Sequence, residues 1–411
     1  MNYGFKKIST FMALVFGLAL IFELPYIRNS FYVPICQALN LTNQEFGVLS
    51  SIYSLVSLVM YIVGGFLSDR FNSRWLLFLP FAGTGALGFW FSGFPEYGEL
   101  KIIFALMGIT TVMTFYSTAI RILKGLGSRY EQGRIFGWME AGKGIFAGLA
   151  FFVIQLLFES LGEGRFGFEW VIKAYAILNI MLGIGVVLVV PDEYLYVEQK
   201  MTLRQEIRTV LSNPRVWIMC LVVFSAYSMY ALLSFVPPFF LKAYNSSMEV
   251  SRSLSTWRYG MQIVGAILAG CLADKVRSSY KIMFGGFMIM LASILVFIIQ
   301  PYDISSMMLG LLGFIALSIA VYGIKGLYYA MISENSIDTS CIGGTVGIVA
   351  AVGYLPDTFM HSMVGNWIDS GMDGYYKMFS FAVIVILIGT IVTGIALTGL
   401  IPVGKGGRKQ K

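Results

Sequence analysis

A chain of 411 residues that is 57% hydrophobic and only 12% charged cannot clothe a soluble fold in polar groups, and its mean hydropathy of +0.76 places it in lipid. The net charge of +7 does not mark a nucleic-acid binder, because the basic residues sit mostly in short loops between apolar runs. A single histidine, no nucleophile–base constellation and no phosphate-binding glycine loop followed by Lys-Ser or Lys-Thr argue against an enzyme and against ATP-driven transport by this chain alone.

Lys6 and Lys7 precede the first apolar run, and no small-residue cleavage site follows before Glu23 and Arg28, so this run reads as a retained span rather than a signal peptide. A bilayer core of about 30 Å takes about 20 apolar residues per helix, and runs of that kind fall at roughly 9–33, 46–68, 75–94, 101–123, 135–158 and 168–190. They resume at roughly 215–241, 249–273, 279–300, 305–332, 342–368 and 377–401. The expected fold is therefore an all-α membrane protein of about twelve transmembrane helices in two pseudo-symmetric six-helix bundles, residues 1–190 and 215–411, joined by a linker over 191–214. That linker carries Asp192, Glu193, Glu198, Lys200, Arg204, Glu206 and Arg208 and reads as a short amphipathic helix at the cytoplasmic surface. Cys36, Cys220, Cys271 and Cys341 have neither paired nor metal-ligand spacing and read as apolar fillers, so neither metal nor cofactor is expected.

Alternate loops hold most of the basic residues. One face receives Lys6, Lys7, Arg70, Arg74, Arg121, Lys124, Arg129, Arg134, Lys200, Arg204, Arg208, Arg215, Lys275, Arg277, Lys281 and the basic C-terminal end. The opposite face receives Lys101, Arg165, Lys242, Arg252 and Lys377. This bias puts both termini in the cytoplasm.

The second span ends in Gly64-Gly65-Phe66-Leu67-Ser68-Asp69-Arg70 and the eighth in Ala269-Gly270-Cys271-Leu272-Ala273-Asp274-Lys275, at matching places in the two halves. Gly65-x-Leu67-Ser68-Asp69-Arg70-x-x-x-Arg74 resembles the signature loop between helices two and three of the major facilitator superfamily, departing from it where Asn72-Ser73 replaces a glycine and a basic residue. Gly270 to Lys275 is similar, and Glu131-x-Gly133-Arg134-x-x-Gly137 resembles the loop after helix four of that superfamily. The resemblance covers nearly the whole chain and implies a secondary transporter in which the halves rock about a central substrate. Physically, a carboxylate at a helix end can pair with Arg134 or cap a helix of the same bundle. Asp69, Arg70, Arg134 and Asp274 are accordingly the candidate cytoplasmic gate, with topology control and loop structure as the alternative.

Ionisable groups inside spans are the other candidates, since each costs about 2.5–3.5 kcal/mol at mid-bilayer without a partner. These are Glu23, Arg28, Glu140, Lys143, Arg258, Lys325, Asp357 and His361, with Lys173 near enough to the outer surface to snorkel. Arg28 and Arg258 come from opposite halves, and facing one cavity they would clamp an anion. Tyr26, Tyr53 and Trp257 would line its organic part, or else mark the lipid interface. Lys325, flanked by glycines, is a third anion contact, a charge freed during cycling, or a structural group. Glu140 and Lys143 at i,i+3 are expected to neutralise each other, and Asp357 and His361 at i,i+4 to share a proton or simply to brace their helix. The alternative for Arg28 is a tie to Glu23 or Glu45.

Tyr26-x-Arg28 followed by Pro34 resembles the first helix of the organophosphate:phosphate antiporters and anion:cation symporters, although helix seven here lacks the second arginine of the phosphate antiporters. The expected function is transport of a small organic anion, by proton symport through Glu23, Glu140 or Asp357 or by anion exchange. A proton-coupled drug or sugar transporter is the alternative. For a drug exporter the fifth span, with Gly137, Gly142, Gly144 and Gly148, lacks the proline usual in that class. The expected partners are a small anionic substrate, a coupling proton and membrane lipid, with no nucleic acid. The expected state is a monomer in a prokaryotic cytoplasmic membrane.

Overall fold

The computed structural model describes residues 3–27, 31, 35, 38–71, 73–162, 164–191, 201–368 and 370–398. Every regular element among them is helical. In chain order they are α1 (Tyr3–Leu20), α2 (Asn43–Ser68), α3 (Ser73–Ser92), α4 (Tyr97–Val112), α5 (Phe115–Gly125), α6 (Gln132–Ser160), α7 (Arg165–Val189) and α8 (Leu203–Leu211). Then follow α9 (Pro214–Leu232), α10 (Val236–Ala243), α11 (Met248–Val276), α12 (Ser279–Ile299), α13 (Ile304–Lys325), α14 (Met331–Glu334), α15 (Ile342–Gly353), α16 (Met360–Ile368) and α17 (Met372–Thr398).

Nine segments among the described residues are long and apolar enough to cross a membrane, and they coincide with nine of the expected runs. The other three are interrupted or too polar. The run at 9–33 leaves regular α-helix at Leu20 and continues in turns through Glu23, Pro25 and Tyr26. The run at 249–273 lies on a long helix, α11, whose serines, threonine and Arg258 dilute its hydropathy. The run at 342–368 breaks between α15 and α16, where Leu355–Thr358 form a 3-10 turn around Pro356. Proline cannot donate the helical hydrogen bond, so a break there follows from the sequence. Such breaks are tolerated at membrane depth where the freed backbone groups face protein or a cavity.

The chain divides into two compact units, the first Met1–Leu126, Gly142–Val210 and Asp338–Ala351, the second Gly127–Ala141, Leu211–Ile337 and Val352–Lys411. Each takes most of one sequence half and a short piece of the other: the start of α6 belongs to the second unit, and α15 as far as Ala351 to the first. In the first unit, Phe31 packs edge-on to Phe158 at 5.6 Å within a buried cluster that includes Phe46, Phe91, Phe104 and Phe168. In the second unit, Phe239 is fully buried among Phe240, Phe297, Tyr375 and Phe379. Lipid is as apolar as these rings, so close packing and edge-to-face geometry, about 0.5–1.5 kcal/mol per pair, hold each unit together.

Candidate functional site

Two helix ends meet their neighbours backbone to backbone. In the first unit, a Cβ on Gly65 would lie 2.6 Å from the Gly343 carbonyl oxygen, and one on Gly347 2.4 Å from that of Tyr61. Only glycine permits this approach of α2 to α15. It brings the buried Asp69 carboxylate to the start of α15, where the Gly344 N–H donates to Oδ2 at 3.0 Å. The second unit repeats the device: a Cβ on Gly270 would lie 2.5 Å from the Gly133 carbonyl oxygen, and one on Gly137 2.5 Å from that of Ala266. There the Gly133 and Arg134 N–H groups donate to the two oxygens of Asp274 at 2.8 and 3.0 Å, and Arg134 Nε adds a third bond at 2.9 Å.

Both carboxylates sit on the orphan N–H groups and positive dipole end of a helix. The expected Asp274–Arg134 pair is formed. The capped helix, however, comes from the opposite sequence half in each case rather than from the same bundle, because the glycine-lined starts of α6 and α15 are the surfaces that admit it. Arg70 turns away from Asp69 to Glu206 of α8, with Nη2 2.6 Å from Oε2.

Deeper in the second unit lies a chain of polar groups. Glu140, 2% exposed, pairs with Lys325 at 3.1 Å and accepts a hydrogen bond from Gln262 Nε2 at 3.0 Å. Lys325 closes α13, where the helix dipole favours a cation, and its ammonium stands 3.8 Å over the Tyr230 ring and 5.9 Å from that of Tyr322. Arg258 of α11 reaches the Tyr322 hydroxyl. The Tyr230 ring meets Tyr227 at 5.3 Å, and the Tyr227 hydroxyl donates to Asp357 Oδ2 at 2.6 Å. Asp357 Oδ1 is 3.8 Å from His361 Nε2, which brings the expected pair together, with Asp357 on the 3-10 turn and His361 the second residue of α16.

Lys143 is half-buried, and the pairing of Glu140 with Lys325 ties α6 to α13. Trp257 is 48% exposed, a helix step of about 100° from Arg258, and does not join the buried chain. In the first unit, the Tyr26 ring stands edge-on to Tyr53 at 5.3 Å, Tyr53 shares a hydrogen bond with Thr111 at 3.1 Å, and Glu23 lies half-buried in the turns after α1. Arg28 and Pro34 lie outside the described residues. Lys173 pairs with Glu169 and lies over Trp170.

Sequence reasoning missed Gln262, Tyr230, Tyr322, Tyr227 and Glu206. Gln262 could have been found, since it follows Arg258 by one helical turn on α11. The tyrosines carry no such signal in a chain with 23 of them.

Apolar spans, buried charges paired between helices and glycine contacts at helix ends are the features of a multi-pass membrane protein. The sequence profile of the Major Facilitator Superfamily matches residues 8–360, and the chain belongs to that family. It is similar to inner membrane protein YihN of Escherichia coli (strain K12), 26% identical over 94% of each chain. In fold it resembles the proton:xylose symporter XylE, with a TM-score of 0.66 at 15% identity over 97% of this chain and 96% of that one. The human organic anion transporter MFSD10 gives a TM-score of 0.70 at 12% identity over 96% and 100%.

Proposed function

We propose that this transporter carries a small organic anion by alternating access, residues 1–190 rocking against 215–411, as a monomer of the bacterial inner membrane with both termini in the cytoplasm. The observation that carries the substrate class is the pair of cations beside Tyr322. Arg258 and Lys325 both approach this ring, with Lys325 paired to Glu140. An anion bound beside them would meet two cationic side chains, and Arg28 is the proposed contribution from the other half. Coupling is by a proton on Glu140, Glu23 or Asp357, or by exchange for a second anion, since arginine does not deprotonate.

A second reading has one observation in its favour. Glu140, Lys325 and Gln262 form a charge-paired, hydrogen-bonding cluster, which would suit a sugar carried with a proton, the cargo of the named xylose symporter of similar fold.

The test is a thermal-shift screen of the purified protein against phosphate esters, carboxylates, sugars and lipophilic cations, followed by uptake in proteoliposomes. Stabilisation by one anion class, abolished in Arg258→Ala and Arg28→Ala, supports the anion reading. Stabilisation by neutral sugars that survives both changes overturns it.

A further inference from the structure

Glu206 is the only acidic residue of α8, and it points inward: the residue is 1% exposed on a nine-residue helix whose other side carries exposed Arg204 and Arg208. Arg70 occupies its Oε2. Its Oε1 faces Gly344, where a Cβ would come within 2.7 Å of it, and receives no N–H or O–H from the described protein groups. Asp69, 3% exposed, presents the complementary picture: the Gly344 N–H holds Oδ2, and Oδ1 likewise receives no hydrogen bond from the described protein groups. Two buried carboxylates thus converge on one glycine, each with one oxygen engaged and one bare, and within hydrogen-bonding reach of each other.

A buried acceptor without a donor costs about 1–3 kcal/mol, more when charged, and two such carboxylates side by side repel as well. One proton removes both penalties, because a neutral Glu206 donates from Oε1 to Asp69. We propose that Asp69 and Glu206 form a proton-binding site that fastens α8 to the end of α2, and that α8 is released when this proton leaves.

The charged and titratable groups facing the pair are Arg70 from the end of α2, Arg121 from α5 and Cys341 ahead of α15. Arg70 holds the far oxygen of Glu206 and Arg121 acts on Asp69, so neither supplies the donor that the two facing oxygens lack. Burial, and then the Asp69 charge, push the Glu206 carboxyl up to about 8. The proton is therefore held at neutral pH and lost in mildly alkaline solution.

The experiment is hydrogen exchange of the full-length protein in lipid nanodiscs from about pH 6.5 to about pH 9.5, corrected for intrinsic exchange. Protection of residues 203–211 is expected to fall about tenfold or more over this range in the wild type. It should stay flat in Glu206→Gln, whose amide donates to Asp69 without titrating, and in Asp69→Asn, whose amide donates to Glu206. A flat wild-type profile, or the same fall in both variants, overturns the site. Should the variants fail to fold, infrared difference spectra of the wild type decide. Loss of a protonated-carboxyl band between about pH 7 and about pH 9.5 supports the shared proton, and its absence overturns it.

Discussion

Glu140 and Lys325 are each an expense to the bilayer alone, and together they form one polar unit with Gln262 and Tyr230. Removing one partner leaves the other charged and buried, at about 3–5 kcal/mol, whereas replacing both by apolar groups of similar volume is nearly neutral. Lys325→Met is therefore expected to lower the melting temperature sharply, and Glu140→Leu in the same chain to restore most of it. Thermal unfolding in detergent checks this, and additive losses in the double variant would show the pair to be energetically independent. Tyr227 offers a smaller case. Its hydroxyl bonds a carboxylate at 2.6 Å, so Tyr227→Phe is expected to cost about 1.5–3 kcal/mol and to leave the Glu140–Lys325 pair intact.

Among the elements, the helix ends matter most. The Asp274 carboxylate accepts from two backbone N–H groups at the start of α6, an arrangement that resembles an N-cap supplied by another helix. Asp274→Ala is expected to cost about 0.5–2 kcal/mol and to loosen the first turn of α6, read as faster hydrogen exchange at residues 132–137. Gly270→Val should do more, because its side chain would meet the Gly133 carbonyl at once and α11 could no longer approach α6. A melting temperature unchanged by Gly270→Val would show that this close contact does not hold the unit. The breaks in the apolar runs follow a similar logic. After Leu20, after Lys325 and at Leu355–Thr358, regular helix stops beside Glu23, Lys325 and Asp357 in turn. Residues inferred as functional from their charge thus sit where the backbone itself departs from helix.

For the whole molecule, the titration of Glu206 sets an expected pH dependence. Its carboxyl is raised from 4.5 to about 8 in the folded protein, so the folded state holds the proton more tightly than the unfolded chain. The stability this contributes is complete below about pH 4.5 and is lost as pH rises through about 8. The melting temperature of the wild type is expected to fall between about pH 7 and about pH 9, and less so in Glu206→Gln. Differential scanning fluorimetry over that range checks it, and parallel wild-type and variant curves would assign the pH dependence to other groups.

Much of this was legible beforehand. The membrane class, nine of the spans and the family itself follow from hydropathy and from the glycine–aspartate motifs, because a lipid environment constrains every residue of a span locally. The pairing of Arg134 with Asp274 was also readable, since both lie in motifs with a defined place in the chain. What the sequence could not specify was partner choice between distant helices. Nothing local to Glu140 announces that Lys325, 185 positions away, pairs with its carboxylate. Glu206 looked like one charge on a solvated linker, and only folding buried it beside Asp69. Local apolarity is written residue by residue, whereas the depth and company of a charge are set by which helices glycine allows to touch.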